Sequence, residues 1–182
     1  TWPDGTSVYW KAGEKSGDAV TLKSAVETAF TEGNDVTIVC QPNTTIPDSA
    51  PHIAVMGNIT VYANDADFGG DDLSIGFDKA PNVTPATVNL YDSKNLVVWG
   101  QPVAERSDVW NVNFVDCHND SWNFLMYRDG ESGNGTLNLT MKDCSATGFS
   151  DSIVHTTADG SVRIQDCQFS NNCAPVNIAH KQ

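Results

Sequence analysis

The sequence is short of positive charge, of long apolar runs and of closely spaced cysteines. Ten Lys and Arg face 23 Asp and Glu, leaving a formal charge of −13. Nucleic acid and anionic lipid are held by clustered Lys and Arg, so this balance excludes both as broad-surface partners. No apolar run approaches the roughly 18 residues of a membrane span, so no membrane insertion is expected. Thr1 opens without a basic segment and apolar stretch, which places any export signal outside the sequence. No cysteine pair has the short C-x₂₋₄-C separation of a zinc site. Lys and Glu are scarce relative to Asn and Asp, which favour turns and bends over helix interiors.

What remains is one acidic domain, with 182 residues and 40% hydrophobic composition to build a core. The periodicity predicts a helix over 18–33. Leu22, Ala25, Val26, Ala29 and Phe30 share one stripe, Asp18 stands at the N-cap and Gly33 at the C-terminal stop. A strand, Val36-Thr-Ile-Val-Cys40, follows. Further strands are expected at 58–63, 87–90 and 95–99. The stretch 64–79, with five Asp and three Gly, is expected to leave the strand framework.

From residue 110 onward the chain repeats itself. Val112-Asn-Phe-Val-Asp-Cys117, Leu139-Thr-Met-Lys-Asp-Cys144 and Val162-Arg-Ile-Gln-Asp-Cys167 each run apolar, x, apolar, x, Asp, Cys. The cysteines are 27 and 23 residues apart, and a motif at a period of roughly 20 to 30 residues marks one structural unit per repeat. Second apolar patches lie at 123–127, 152–156 and 175–178. The pattern predicts an all-β, parallel solenoid with coils over about 58–182, and the apolar positions stacked inward at about 4.8 Å. Asp116, Asp143 and Asp166 then mark a bend, where Asp tolerates left-handed backbone angles. A β-sandwich is the competing fold, but it does not predict one hexapeptide three times.

Two stretches carry a resemblance to the right-handed parallel β-helix, or pectin-lyase-like, superfamily. Val162-Arg-Ile-Gln-Asp-Cys-Gln-Phe-Ser-Asn-Asn172 is similar to the coil consensus of β-helix adhesin-like surface proteins. Thr21-Leu-Lys-Ser-Ala-Val-Glu-Thr-Ala-Phe30 with the following strand resembles the helix that caps the first coil. The resemblance implies a short right-handed β-helix with an N-terminal capping helix. The superfamily holds lyases, glycosidases, epimerases, tailspikes and non-catalytic adhesins, so the fold does not choose among them.

Cys40, Cys117, Cys144 and Cys167 fit small buried positions in the columns. With five cysteines at least one is unpaired within the chain, and Cys167 and Cys173 are close enough to close a small loop. The three column carboxylates would repel by about 0.9 kcal/mol per neighbouring pair even in bulk water. Calcium would relieve this, as would Lys142 and Arg163. No cofactor is required, but the calcium candidates are Asp116, Asp143 and Asp166, and separately Asp65, Asp67, Asp71 and Asp72. Asn-x-Ser/Thr triplets at Asn43, Asn58, Asn82, Asn119, Asn134 and Asn138 are glycosylation acceptors only in a secreted eukaryotic chain.

Catalytic signals are thin. The three Arg, at 106, 128 and 163, match no catalytic pattern. The paired-Asp and Gly-His-Gly signatures of polygalacturonase-like β-helix enzymes are missing, as is any nucleophile elbow. Asp116, Asp120 and Asp151 are the carboxylates a glycosidase would draw on, while His118 and His155 fit surface or core-edge positions. Trp99, Trp110, Trp122 and Tyr127 are the candidates for stacking on sugar faces. The expectation is a non-catalytic extracellular, cell-surface module of an adhesin-like protein that binds a glycan or a host or partner protein. The alternatives are a small carbohydrate-active enzyme, a lyase or glycosidase with an Asp-based site, and a purely structural stalk. The final segment has no evident polar cap, so self-association or continuation through the last coil is also expected.

Overall fold

The computed structural model describes residues 7–10, 18–40, 52–77, 81–100, 108–127, 135–148, 152–171 and 176–178. In chain order these form β1 (Ser7–Trp10), α1 (Asp18–Thr31), β2 (Val36–Cys40), β3 (His52–Ala54), β4 (Ile59–Tyr62) and β5 (Asp67–Gly76). There follow β6 (Ala86–Tyr91), β7 (Lys94–Gly100), β8 (Val109–Val115), β9 (His118–Asp120), β10 (Leu125–Tyr127) and β11 (Thr136–Lys142). Last come β12 (Ser145–Thr147), β13 (Val154–Thr156), β14 (Asp159–Gln165), β15 (Gln168–Ser170) and β16 (Val176–Ile178).

Every strand pairing is parallel, and the strands wind into a β-solenoid with one short N-terminal helix. The first sheet stacks β1-β2-β4-β6-β8-β11-β14; the other strands complete the second sheet. The regular part makes four turns, from β4 through β6, β8 and β11 to β14. The hexapeptide repeat is the mechanism. Register pairs Val88 with Val112 and Val112 with Leu139, then Leu139 with Val162. The next inward column is Leu90, Phe114, Met141 and Ile164. In both columns the first three residues are almost fully buried. Each such side chain contributes about 1.5–3 kcal/mol on leaving water, so a one-residue slip would expose a whole column.

The helix closes one end. Val26, Ala29 and Phe30 are buried, and Lys23 bridges the Glu27 carboxylate (2.6 Å) and the His52 carbonyl (2.7 Å). Glu27 in turn accepts from the Ala54 N–H at 3.2 Å, fastening α1 to β3. Gly33, at φ +80°, ends the helix: its N–H donates to Phe30 and that of Asn34 to Ala29. These paired bonds satisfy the last carbonyls, and the left-handed angle explains the glycine.

Within the expected excursion over 64–79, residues 78 and 79 lie outside the described residues, and residues 67–76 depart from expectation, because they form β5 between β3 and β7. What made them look like an excursion is real, since β5 slips register between Asp67 and Gly70 and again between Gly70 and Ser74. Gly69, Gly70, Asp71 and Asp72 fall at these irregularities on a strand rather than in a loop, while Asp65 stands in the turn before it.

Candidate functional site

The bend after each first-sheet strand organises the surface. Asp92, Asp116, Asp143 and Asp166 all have φ between 52° and 54°. The ladder runs through the corner: Asp92 N–H donates to Val115, Asp116 to Lys142 and Asp143 to Gln165, at 3.0–3.1 Å. Asp92 is thus a fourth member of the column, set in Val88-Asn-Leu-Tyr-Asp92-Ser93, where Ser replaces the repeat's Cys. Asp65 also lies at positive φ (62°), in a turn of the preceding coil that is two residues longer.

Inside the corner, Ser93, Cys117, Cys144 and Cys167 succeed one another. Each cysteine thiol donates to the carbonyl two residues earlier, Val115, Lys142 or Gln165, at 3.3–3.4 Å. Cys117 and Cys144 also reach the preceding turn, at Leu90 and Phe114. Cysteine recurs here because a small apolar side chain with one weak donor suits a buried corner. Cys40 is buried as well, but it pairs with Trp10 and stands outside this column; burial pushes its thiol up to about 12.

Outside the corner, the first sheet presents a face with three columns. Nearest the Asp ridge run Tyr62, Tyr91, Val115, Lys142 and Gln165. Tyr62 and Tyr91 are stacked, with ring centroids 5.3 Å apart at 11°, and Tyr62 is 47% exposed. The next column holds Thr60, Asn89, Asn113, Thr140 and Arg163, and Asn113 Nδ2 donates to Asn89 Oδ1 at 2.9 Å. In the third, Asn138 Nδ2 donates to Asn111 Oδ1 (3.0 Å), and Ser161 Oγ to Asn138 Oδ1 (3.1 Å). The amides hold one another in fixed orientation, and each bond uses only part of an amide's donor and acceptor capacity.

Beyond the ridge, Lys94, His118, Ser145 and Gln168 form a further column, with His118 Nδ1 2.6 Å from Ser145 Oγ. Limited burial of the largely exposed Asp92, then the Asp116 and Asp65 carboxylates, push its pKa above the usual carboxylate value, against an opposing pull from His118. Lys142 and Arg163 make no ion pair with the ridge among the described residues.

The three described candidates for stacking, Trp99, Trp110 and Trp122, do not form one site. Trp110 is fully buried, with its ring 4.4 Å from that of Phe77, so it belongs to the core. It shares the inward phase of Val112 and Phe114, which leaves no face for a ligand. Trp122 packs over Gly70. Trp99 is 38% exposed on the opposite side of the coil, in line with Met126 and His155. The Tyr127 side chain lies outside the described residues.

No three His, Cys, Asp or Glu among the described residues converge to hold a metal ion. Asp116, Asp143 and Asp166 stand in single file, one per turn. Asp67 instead accepts from Gly69 N (2.9 Å) and Asn95 Nδ2 (3.1 Å), which ties it to the β5 bulge. The side chains of Asp71 and Asp72, and Asp151 altogether, lie outside the described residues. Of the glycosylation triplets, Asn119 is fully buried and donates to the Leu96 and Asn123 carbonyls, so the folded chain offers no acceptor there. Neither a protein-family model, a curated protein nor a solved structure matches the chain.

Proposed function

We propose that the chain is a non-catalytic glycan-binding module of the pectin-lyase-like β-helix type, displayed on a cell surface as part of an adhesin-like protein. The observation that carries this reading is the Tyr62–Tyr91 pair. An exposed ring beside fixed amides offers an apolar platform for a sugar face and hydrogen-bonding groups for its hydroxyls. The polar groups of the face repeat once per turn, which suits an extended chain of sugars. The acidic ridge beside it disfavours a polyuronate ligand.

The absence of catalysis in this reading rests on placement. Glycosidases set two carboxylates on either side of the scissile bond, whereas Asp92 and Asp116 are neighbours on one ridge. One observation favours the enzymatic alternative: the raised pKa of Asp92 beside Asp116 and His118 resembles the tuning of a general acid.

Both readings are tested by exposing the chain to neutral and acidic polysaccharides, with binding and product formation followed together. The module reading expects retention on a neutral polysaccharide with no release of reducing or unsaturated ends. Tyr62→Ala and Tyr91→Ala should each weaken binding about tenfold or more, the scale of one aromatic contact. Product release abolished by Asp92→Asn would overturn it in favour of the enzyme.

A further inference from the structure

We propose that Cys144 and Cys167 are a thiol pair that closes into an inter-turn disulfide by exchange with a small-molecule disulfide, Cys167 being the point of entry. The two residues occupy equivalent corners of adjacent turns. The ladder brackets them on both sides: Asp143 N–H donates to Gln165 at 3.1 Å and Gln168 N–H to Cys144 at 3.0 Å. Parallel neighbours in such a ladder stand about 4.8 Å apart, inside the roughly 4.4–6.8 Å Cα separation that disulfides span. Both are free thiols in the structure.

Access differs along the column. Cys117 and Cys144 are buried, at 0% and 2% exposure, whereas Cys167 is only partly covered. Cys167 also lacks the second carbonyl contact that Cys117 and Cys144 make to the preceding turn. A reagent therefore meets Cys167 first. Its thiolate attacks one sulfur of the small disulfide and expels a thiolate, leaving a mixed disulfide on the protein. Cys144 then attacks the Cys167 sulfur, loses its proton and expels the second small thiolate, which takes that proton up. Two protein thiols are oxidised and one small disulfide is reduced to two thiols. The second step is the slow one, because the hydrogen bond with Cys117 and burial both hold the Cys144 thiol protonated.

The test is to incubate the reduced, folded 182-residue chain with oxidised glutathione at about pH 8.5, near the ordinary thiol value. The linked peptides are then mapped by mass spectrometry. The expected result is transient glutathione on Cys167, followed by a Cys144–Cys167 link and loss of two titratable thiols. Cys144→Ser should leave glutathione on Cys167 and trap that intermediate. A Cys167–Cys173 link, glutathione that stays on Cys167 of the unsubstituted chain, or no reaction in the folded state would each overturn the proposal. The unsubstituted chain alone decides among these outcomes, so the test survives a variant that fails to fold.

Discussion

The ring of Trp122 fills the space into which a Cβ on Gly70 would project. Trp122 lies in the bend between β9 and β10, and Gly70 lies where β5 slips register at φ +73°. The pair therefore fastens the most irregular strand to a later turn of the solenoid.

Gly70→Ala should cost about 2–3 kcal/mol, combining a left-handed backbone penalty with displacement of the indole. Trp122→Ala on the same background should recover the steric part but not the backbone part. A double-mutant cycle by urea denaturation measures that coupling.

The corners make a different prediction. Asp116→Gly should change stability by no more than about 1 kcal/mol, since glycine takes φ near 52° without strain. Asp116→Val should lose about 2 kcal/mol or more, because a β-branched residue is a steric outlier at that angle. Equal losses for both variants would mean that the carboxylate, and not the backbone angle, holds the corner.

Asp92 carries a pH signature. Its raised folded-state value means that its contribution is fully present below the ordinary carboxylate value of 3.8 and is lost as pH rises through the folded value. Asp92→Asn should therefore raise the denaturation midpoint at pH 7 and have little effect at pH 3. Added salt should shrink the gain, because Asp116 and Asp65 supply part of the repulsion. Asn tolerates left-handed angles as Asp does, so the comparison isolates charge.

Trp110 and Trp99 should separate stability from surface function. Trp110→Ala empties a core position beside Phe77 and should cost about 3–5 kcal/mol. Trp99→Ala should cost much less, and under the glycan reading it leaves binding unchanged. Denaturation followed by far-ultraviolet circular dichroism avoids the loss of indole fluorescence in both variants.

Much of this architecture was legible because Asp and Cys recur at fixed places after an alternating apolar pair. That pattern located the corners at 116, 143 and 166, the strands that precede them and the stacked core. The Asp92 corner was missed because Ser93 stands where the later turns have Cys, although Val88 and Leu90 keep the alternation. The phase of Trp110 was also present in the sequence, two residues before Val112, and it argues for burial. The Tyr62–Tyr91 pair could not be found that way. The two residues are 29 positions apart, and the longer turn at Asn64 and Asp65 breaks the motif between them. The face emerges only when register aligns consecutive turns, because strand pairing and not sequence proximity sets which side chains are neighbours.

The claim that the first-sheet face takes the ligand is tested most directly by an amide-resolved NMR titration with the polysaccharide that binds best. The prediction is a contiguous set of shifted resonances at Tyr62, Asn89, Tyr91 and Asn113, with Trp99, Met126 and His155 unmoved. Shifts confined to Trp99 and its neighbours, with the first-sheet face silent, would contradict it.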